Sequence, residues 1–236
     1  MPGFPARERE TPVKKRYKAV LFDYDGTLVD TNQLIVDSWD HMYQKHFGGH
    51  LTGDDVKWTF GMVLWDAIDD YMKQLGHSGY DLKELVESYR EFQLQPDATP
   101  APPFEGMVEA VQKLKDEGVL LGIVTSRGYD SCVKGLKKYG IADCFDAFVT
   151  AESTDIHKPL PEPALICCRE LGVDPVDAVM VGDSIFDLIC GNDAGCDTCF
   201  VTWSFATGVD AAIKDGKPTY VVNTPAEMVE LLTAVI

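Results

Sequence analysis

Six short apolar runs recur along the chain, and helical patterns lie between most of them. The runs cover residues 18–22, 120–125, 147–150, 178–181, 198–202 and 220–222. Short apolar runs bounded by glycine and polar residues are typical of buried strands. Strands that alternate with helices form a parallel sheet with helices on both faces. The sequence therefore predicts an α/β fold built on a doubly wound parallel sheet.

Glycine and proline mark where several of the intervening helices begin and end. Gly118, Gly140 and Gly172 each follow an amphipathic stretch, as expected of glycines that end helices. The stretch from Thr224 to Glu227 reads Thr-Pro-Ala-Glu, which is a capping box with proline at the first helical position. These signals predict helices between the strands and one more after the last strand.

The region from residue 30 to residue 100 interrupts the alternation. It contains no convincing strand, and a proline-rich segment, 95–103, closes it. Three amphipathic helices are predicted there, marked by Ile35, Trp39, Met42 and Tyr43, then by Val56, Phe60, Leu64, Ile68 and Tyr71, then by Leu82, Leu85, Tyr89 and Phe92. We therefore expect an all-helical domain, residues 30–100, inserted in an α/β core of residues 18–29 and 101–236. Residues 1–17 are expected to be a mobile leader. The inserted domain would lie where it can close over a site at the end of the first strand.

Two carboxylates end the first apolar run. Asp23 and Asp25 follow it directly, and Gly26 comes next. Carboxylates this close repel each other unless a cation neutralises them, and a site built from oxygen ligands alone favours Mg²⁺. The alternative is an Asx-turn in which Gly26 supplies the positive φ. This motif alone leaves the two interpretations closely matched.

Polar residues also follow the second run and precede a proline-rich stretch. Thr125, Ser126 and Arg127 come at a strand end, where a hydroxyl and backbone N–H groups suit a phosphate. Taken by itself, this segment is better explained by a plain helix N-cap. Lys158 precedes the stiff segment Pro-Leu-Pro-Glu-Pro. A lysine held beside clustered carboxylates balances their charge and can bind a transferring phosphoryl group.

A second pair of aspartates follows the fourth apolar run. Asp183 comes directly after Gly182, and Asp187 lies four residues further on, one turn away if a helix begins there. Each could instead cap a helix N-terminus. Capping does not easily explain why two separate strands both end in aspartate pairs.

In order, these four segments resemble the four motifs of the haloacid dehalogenase superfamily, and the resemblance extends from residue 18 to the C-terminus. By this resemblance, Asp23 would be the nucleophile that accepts the phosphoryl group. Asp25 would protonate the leaving oxygen and then activate water. Thr125 would hydrogen-bond the phosphoryl oxygens, and Lys158 would neutralise Asp23 and the phosphate.

The resemblance also implies a metal site and a substrate-binding set. Mg²⁺ would be held by Asp23, Asp183 and the backbone carbonyl of Asp25, with Asp187 supporting the site. The implied substrate-binding residues are Gly26, Thr27, Ser126 and Arg127. The insertion resembles the helical cap of the first type in that superfamily.

Within the superfamily, the chain looks most like the phosphoglycolate phosphatase-like branch, which includes pyrophosphatases. The expected function is Mg²⁺-dependent hydrolysis of a small phosphate monoester, and Asp25 favours phosphoryl transfer over dehalogenation. The alternatives are an inorganic pyrophosphatase, a phosphomutase of the β-phosphoglucomutase kind, and a non-enzymatic module that keeps the fold. Members often carry a polar residue after a cap glycine, whereas Gly61 here precedes Met-Val-Leu-Trp. This departure suggests a leaving group less polar than glycolate, unless these side chains simply pack within the insertion.

The net charge and the cysteine content limit the classes of partner and the location that we expect for this protein. The formal net charge of −17 argues against nucleic acid and anionic membrane surfaces, because phosphates would be repelled. Seven cysteines without an export signal suggest reduced thiols and a cytoplasmic location. We expect a small phosphorylated metabolite as the partner, and a monomer or homodimer.

Overall fold

A computed structural model describes residues 17–95 and 98–234. Within these residues, six parallel strands form one sheet in the order β3-β2-β1-β4-β5-β6. The strands are β1 Ala19–Phe22, β2 Leu120–Val124, β3 Ala147–Val149, β4 Ala178–Gly182, β5 Asp197–Val201 and β6 Tyr220–Val222. The predicted fold class is confirmed, and each predicted strand end lies within one residue of the observed end.

Helices cover both faces of the sheet. The α-helices of the described residues are α1 Asn32–Phe47, α2 Gly53–Val56, α3 Leu64–Gln74, α4 Leu82–Gln93, α5 Met107–Asp116, α6 Tyr129–Lys138, α7 Glu162–Leu171, α8 Ile185–Ala194, α9 Val209–Ala211 and α10 Pro225–Thr233. Of these, α5, α6, α7, α8 and α10 pack on the central strands. Alternate residues of β1 serve the two faces, as the period of a strand requires. Val20 and Phe22 pack with α5, α6 and α10, whereas Ala19 and Leu21 pack with α7 and α8. None of the helices within the described residues is long and apolar enough to cross a bilayer.

The register of the central strands brings three strand ends together. Phe22 of β1 is aligned with Ile123 of β2 on one side and with Val181 of β4 on the other. The residues that follow each strand therefore emerge at the same edge of the sheet. Sheet order reverses at β1, and ligands bind at such positions in open α/β sheets. This edge is where the predicted site residues lie.

Four helices, α1 to α4, lie between β1 and β2 and share a hydrophobic core of their own. Trp39 is at its centre, with edge-to-face ring contacts to Tyr71 and Tyr89. The prediction of one helix running from Val56 to Tyr71 was wrong. The chain forms α2, a 3₁₀ turn and a loop before α3, because Gly61 adopts a φ of 90° that a continuous helix cannot contain. The boundaries of the inserted domain at residues 30 and 100 stay a prediction.

The ends of the chain differ from expectation in two details. Residues 1–16 of the predicted leader lie outside the described residues. Tyr17, the last leader residue, is instead buried, and its hydroxyl donates to Asp197 Oδ2 at 2.7 Å. At the start of α10, Thr224 caps the N–H of Glu227, but the Glu227 carboxylate accepts from Asn223 rather than from Thr224. The predicted capping box is therefore only half formed.

Candidate active site

Three buried carboxylates converge at the carboxyl edge of the sheet. Asp23 follows β1, Asp183 follows β4, and Asp187 lies in the first turn of α8. One oxygen from each lies within 4.8 Å of the others. Like charges this close in a buried place repel strongly. The structure thus brings together three of the four predicted metal-site residues.

Lys158 is the cation that partly balances this cluster. Its ammonium donates to Asp23 Oδ1 at 2.9 Å, to Asp187 Oδ1 at 2.6 Å and to the carbonyl of Val124 at 3.2 Å. The side chain is only 2% exposed. Burial alone would lower the pKa of Lys158, but the charges of Asp187 and Asp23 outweigh it and raise the pKa. Lys158 therefore stays charged, and all three of its N–H donors are used.

Asp187 is held in place by the start of α8. Its Oδ2 accepts from the backbone N–H and from the hydroxyl of Ser184, at 3.1 and 2.6 Å. The Ser184 hydroxyl also accepts from the N–H of Asp187, which completes a capping box. Asp187 therefore both caps the helix N-terminus, through Oδ2, and pairs with Lys158, through Oδ1.

Asp183 is the least compensated of the three carboxylates. The Thr27 hydroxyl donates to its Oδ1 at 3.5 Å, and a hydrogen bond from the Ser204 side chain also lowers its pKa, but no cation contacts it within the described residues. Burial, and then repulsion from Asp187 and Asp23, raises the pKa of Asp183 well above its usual value. Burial also raises the pKa of Asp23 to about 7, against the opposing pull of Lys158. Three carboxylates facing one ammonium leave excess negative charge, which a divalent cation would neutralise.

The donor set fits Mg²⁺. Every candidate ligand atom in the cluster is a carboxylate oxygen, and small hard cations prefer such ligands. Asp183 and Asp23 have oxygens that Lys158 does not occupy, so they would hold the ion, with Asp187 beside them. Whether the backbone carbonyl of Asp25 joins them stays a prediction.

Gly26 and Thr27 lie beside Asp183 rather than on the cavity wall. Gly26 has a φ of 73°, and a Cβ there would lie 2.1 Å from Asp183 Oδ2. Only glycine therefore allows Asp183 to approach the first motif this closely. Thr27 is fully buried, and its carbonyl accepts from the Trp203 indole. Both residues support Asp183, and their predicted contact with substrate stays a prediction.

The Asp25 side chain is not part of the three-carboxylate cluster. Its Oδ1 accepts from the Arg127 guanidinium at 2.7 Å. The same guanidinium donates to Gln93 Oε1 at 3.3 Å and lies 5.3 Å from the Tyr24 ring centroid. Asp25 is therefore paired with a guanidinium that also contacts the inserted helix α4.

The second motif joins the core to the insertion. Thr125 Oγ1 accepts from the backbone N–H of Arg127 at 3.2 Å in a local turn. This is not the helix N-cap of the alternative interpretation, because α6 begins at Tyr129 and its N-cap is Gly128. The Ser126 hydroxyl donates to the carbonyl of Gly61 at 2.7 Å. Gly61 also lies close to Ser184 and Phe186 of the fourth motif. The loop after α2 thus lies directly over the predicted site.

A cavity of about 780 Å³ lies between the insertion and the core, and Asp23, Asp25, Thr125, Ser126 and Arg127 line it. Further lining residues were not predicted from the sequence: Tyr89, Arg90 and Gln93 of α4, and Tyr129 and His157 of the core. Tyr89 was recognised only as an apolar marker of a helix. Gln93 follows it by four residues, so the helical period places it on the same face, and that was the available signal.

Comparison with known proteins identifies the chain's relatives. The family model described as haloacid dehalogenase-like hydrolase matches residues 20–201. The chain belongs to the haloacid dehalogenase-like hydrolase family. The match spans all four motifs, from Asp23 to Asp187, so the family resemblance inferred from the sequence is confirmed.

Curated members of this haloacid dehalogenase-like family match most of the chain. A pyrophosphatase PpaX of Bacillus velezensis is 36% identical over 190 residues, covering 80% of this chain and 85% of that protein. A pyrophosphatase PpaX of Bacillus pumilus is 31% identical over 215 residues, covering 91% and 96%. The crystal structure of a predicted phosphoglycolate phosphatase from Haemophilus somnus aligns with a TM-score of 0.81 at 21% identity, covering 92% and 98%. At that identity, the structural match supports the fold alone.

Replacing Asp183 with Asn tests the candidate metal site of this haloacid dehalogenase-like hydrolase without measuring activity. In EDTA, the variant's melting temperature should rise by about 2–4 °C, because one of the crowded buried charges is gone. Wild-type protein should gain about 2.7 kcal/mol of stability at a Mg²⁺ concentration 100-fold above Kd, whereas the variant should gain none. Asp193→Asn, an exposed change on α8, is the matched control. An equal Mg²⁺ shift in Asp183→Asn and wild type would exclude Asp183 as a ligand.

Proposed function

We propose that the protein is a Mg²⁺-dependent phosphatase that hydrolyses a small phosphate monoester through an aspartyl-phosphate. One observation carries the proposal. Asp23 is a buried carboxylate paired to a buried lysine within a cluster of carboxylates, and it lines a cavity large enough for a metabolite. A carboxylate in such a place is a competent phosphoryl acceptor.

In the first step, a carboxylate oxygen of Asp23 attacks the phosphorus. The bond between phosphorus and the leaving oxygen breaks, its electron pair stays on that oxygen, and Asp25 supplies the proton that makes it a neutral alcohol. Lys158 donates to Asp23 Oδ1 and so keeps the carboxylate oriented for attack. Thr125 lines the cavity beside Asp23, where its hydroxyl can donate to a phosphoryl oxygen.

In the second step, water attacks the phosphorus of the aspartyl-phosphate. Asp25, now a carboxylate, takes the proton of that water, and the bond between phosphorus and Asp23 breaks to release phosphate and regenerate the carboxylate. A bound Mg²⁺ would supply positive charge against the phosphoryl oxygens and against Asp23. In this proposal, proton transfer and metal binding fall to different residues. Asp25 lies beside α4, where the leaving group would bind, and Asp183 lies in the carboxylate cluster, where the metal would bind.

The cavity wall supports a leaving group with an apolar surface. The insertion contributes mostly apolar lining: Ile35, Trp39, Phe60, Met62, Val63, Leu64, Trp65, Ala67 and Leu94. Met62 and Leu64 also pack on the insertion's own core, which is the alternative that the sequence left open for this stretch. Trp65 is 37% exposed, so much of its ring is available to a ligand. An organic phosphate would bury apolar surface here, which neither pyrophosphate nor glycolate can do to the same extent.

Inorganic pyrophosphate is the second candidate, because both curated relatives compared above are named pyrophosphatases. Arg90 on the cavity wall is a cation that a second phosphate group could contact. Arg127 also lines the cavity, but its guanidinium is already paired with Asp25. The charge balance of the cavity therefore favours one phosphoryl group with an organic partner over two.

Phosphate release from a panel of substrates decides between these candidates. The panel contains 2-phosphoglycolate, pyrophosphate, sugar phosphates, nucleotides and alkyl and aryl phosphates, each with Mg²⁺ and with excess EDTA. We expect Mg²⁺-dependent release, with a monoester of an apolar alcohol above 2-phosphoglycolate. Pyrophosphate far above every monoester would make the protein a pyrophosphatase. Absence of release from every compound by folded protein, or full activity in EDTA, would contradict the proposal.

A further inference from the structure

A chain of polar side chains connects Asp25 to the inserted helices. Asp25 Oδ1 accepts from Arg127 Nη1 at 2.7 Å, and Arg127 Nη2 donates to Gln93 Oε1 at 3.3 Å. Gln93 Nε2 donates in turn to Ser38 Oγ at 3.3 Å, and Ser38 donates to the carbonyl of Leu34 at 2.6 Å. This series of hydrogen bonds therefore begins at Asp25 in the core, crosses to Gln93 on α4 and ends on α1.

These side chains are largely buried, so the loss of any one of their hydrogen bonds is costly. Ser38 is fully buried, and the Arg127 and Asp25 side chains are 16% and 24% exposed. Water competes weakly for hydrogen bonds in such a place, so losing one partner leaves the other unsatisfied. Arg127 Nε is already buried without an acceptor. The guanidinium is therefore oriented by its two terminal nitrogens, one on Asp25 and one on Gln93.

We propose that Gln93 is a positioning residue for Asp25, acting through Arg127. The inference rests on the proposed function, in which Asp25 protonates the leaving oxygen. Gln93 fixes the guanidinium plane, and the guanidinium fixes Asp25 through Oδ1. Within residues 17–95 and 98–234, Asp25 Oδ2 accepts no hydrogen bond, so it is the oxygen left to face the leaving group.

This arrangement ties proton transfer to the placement of the insertion. Gln93 is the last residue of α4, which packs with the other inserted helices in their common core. Asp25 is then correctly placed only when α4 lies against the core, as it does here, with Ser126 bound to Gly61. A substrate that fills the cavity under α4 would meet an acid already in position.

Leaving-group dependence distinguishes positioning of an acid from a general structural role. An alkoxide is a poor leaving group and needs a proton in the transition state, whereas p-nitrophenolate leaves without one. The ratio kcat/KM covers the steps up to the first phosphoryl transfer, so it reports this difference. A merely structural defect lowers kcat/KM for both substrates by the same factor.

The experiment measures kcat/KM for p-nitrophenyl phosphate and for the best alkyl phosphate of the panel. For Gln93→Met we expect the alkyl value to fall by about 10–100-fold, a fraction of what general acid catalysis contributes, and the aryl value to fall by less than about 3-fold. Asp25→Asn should show the same pattern with a larger alkyl loss. Gln93→Glu keeps an oxygen for Arg127 and should recover most of the alkyl activity. Gln74→Met, an exposed change at the end of α3, is the matched control.

The outcomes separate this inference from the proposed function. Equal losses on both substrates in Gln93→Met, or no loss, would overturn the positioning role if Asp25→Asn still shows the leaving-group pattern. If Asp25→Asn shows no such pattern, or wild-type protein hydrolyses neither substrate, the proposed acid role fails and the positioning role fails with it. A preferential alkyl loss in Gln93→Met that Gln93→Glu restores supports the inference.

Discussion

Replacing Asp23 with Asn is expected to lower the turnover number by on the order of 10⁴-fold or more, as removal of a catalytic nucleophile does in other enzymes. An amide nitrogen or oxygen cannot accept the phosphoryl group as a carboxylate does, so the first step stops. The fold should survive, because the amide fits the same space. Steady-state phosphate release with the best substrate of the panel measures the loss.

The stability of this variant separates loss of chemistry from loss of structure. Asp23 lies 2.9 Å from Lys158 but also beside two other carboxylates, so removing its charge both weakens an ion pair and relieves repulsion. We expect a melting temperature near that of wild type in EDTA. Asp54→Asn, at an exposed position of α2, is the matched control and should keep full activity. Retained turnover in Asp23→Asn would remove the nucleophile role.

Replacing Lys158 with Met is expected to lower the free energy of unfolding by about 3–5 kcal/mol, because it leaves buried charges without their partner. The ammonium contacts two carboxylates and a carbonyl, and the side chain is 2% exposed. Methionine fills a similar volume, so packing loss contributes little. Activity should fall as well, since Asp23 loses the contact that orients it. Urea unfolding of metal-free protein measures the first effect.

The loss of folding stability in Lys158→Met should be larger at high pH than at low pH. Asp23 has a pKa of about 7 in the folded protein and about 3.9 in an unfolded chain. Between these values the folded state binds more protons, so metal-free stability falls as pH rises from about 4 to about 7. Without Lys158 the pKa of Asp23 rises further, so the variant's deficit should be largest at about pH 8 and smaller at about pH 5. Lys57→Met, an exposed change, is the control. A stability deficit of Lys158→Met that does not change with pH would contradict the explanation that it arises from the unpaired charge of Asp23.

The sheet could be predicted from the sequence because its strands are buried on both faces. Such strands are continuous apolar runs, and glycine and polar residues end them sharply, which is why the ends agree within one residue. The convergence of Asp23, Thr125 and Asp183 followed from the same pattern. Each comes directly after a strand, and parallel strands in register place their ends together.

What could not be predicted depends on contacts between distant segments. The apolar spacing from Val56 to Tyr71 fits one helix. Gly61, which lies against Ser184 and Phe186, has a φ of 90° and separates α2 and the 3₁₀ turn from α3. The pairing of Asp25 with Arg127 joins residues 102 positions apart, and spacing carries no sign of it. Gln93 was missed because a polar residue at the end of a helix ordinarily faces solvent. Tyr17 was assigned to the leader because its buried partners, Asp197 and Tyr220, lie near the other end of the chain.

Rapid acid quench of the reacting enzyme tests the central claim most directly. Wild-type protein mixed with Mg²⁺ and its best substrate is stopped during turnover, digested and measured by mass spectrometry. The account predicts the mass of one phosphoryl group on the peptide that contains Asp23 and none in Asp23→Asn. With p-nitrophenyl phosphate, whose leaving group needs no proton, Asp25→Asn should carry more of it than wild type, because only the second step is then slowed. A turning-over enzyme that carries no phosphoryl group on that peptide in either protein, or carries it on another residue, would contradict the account.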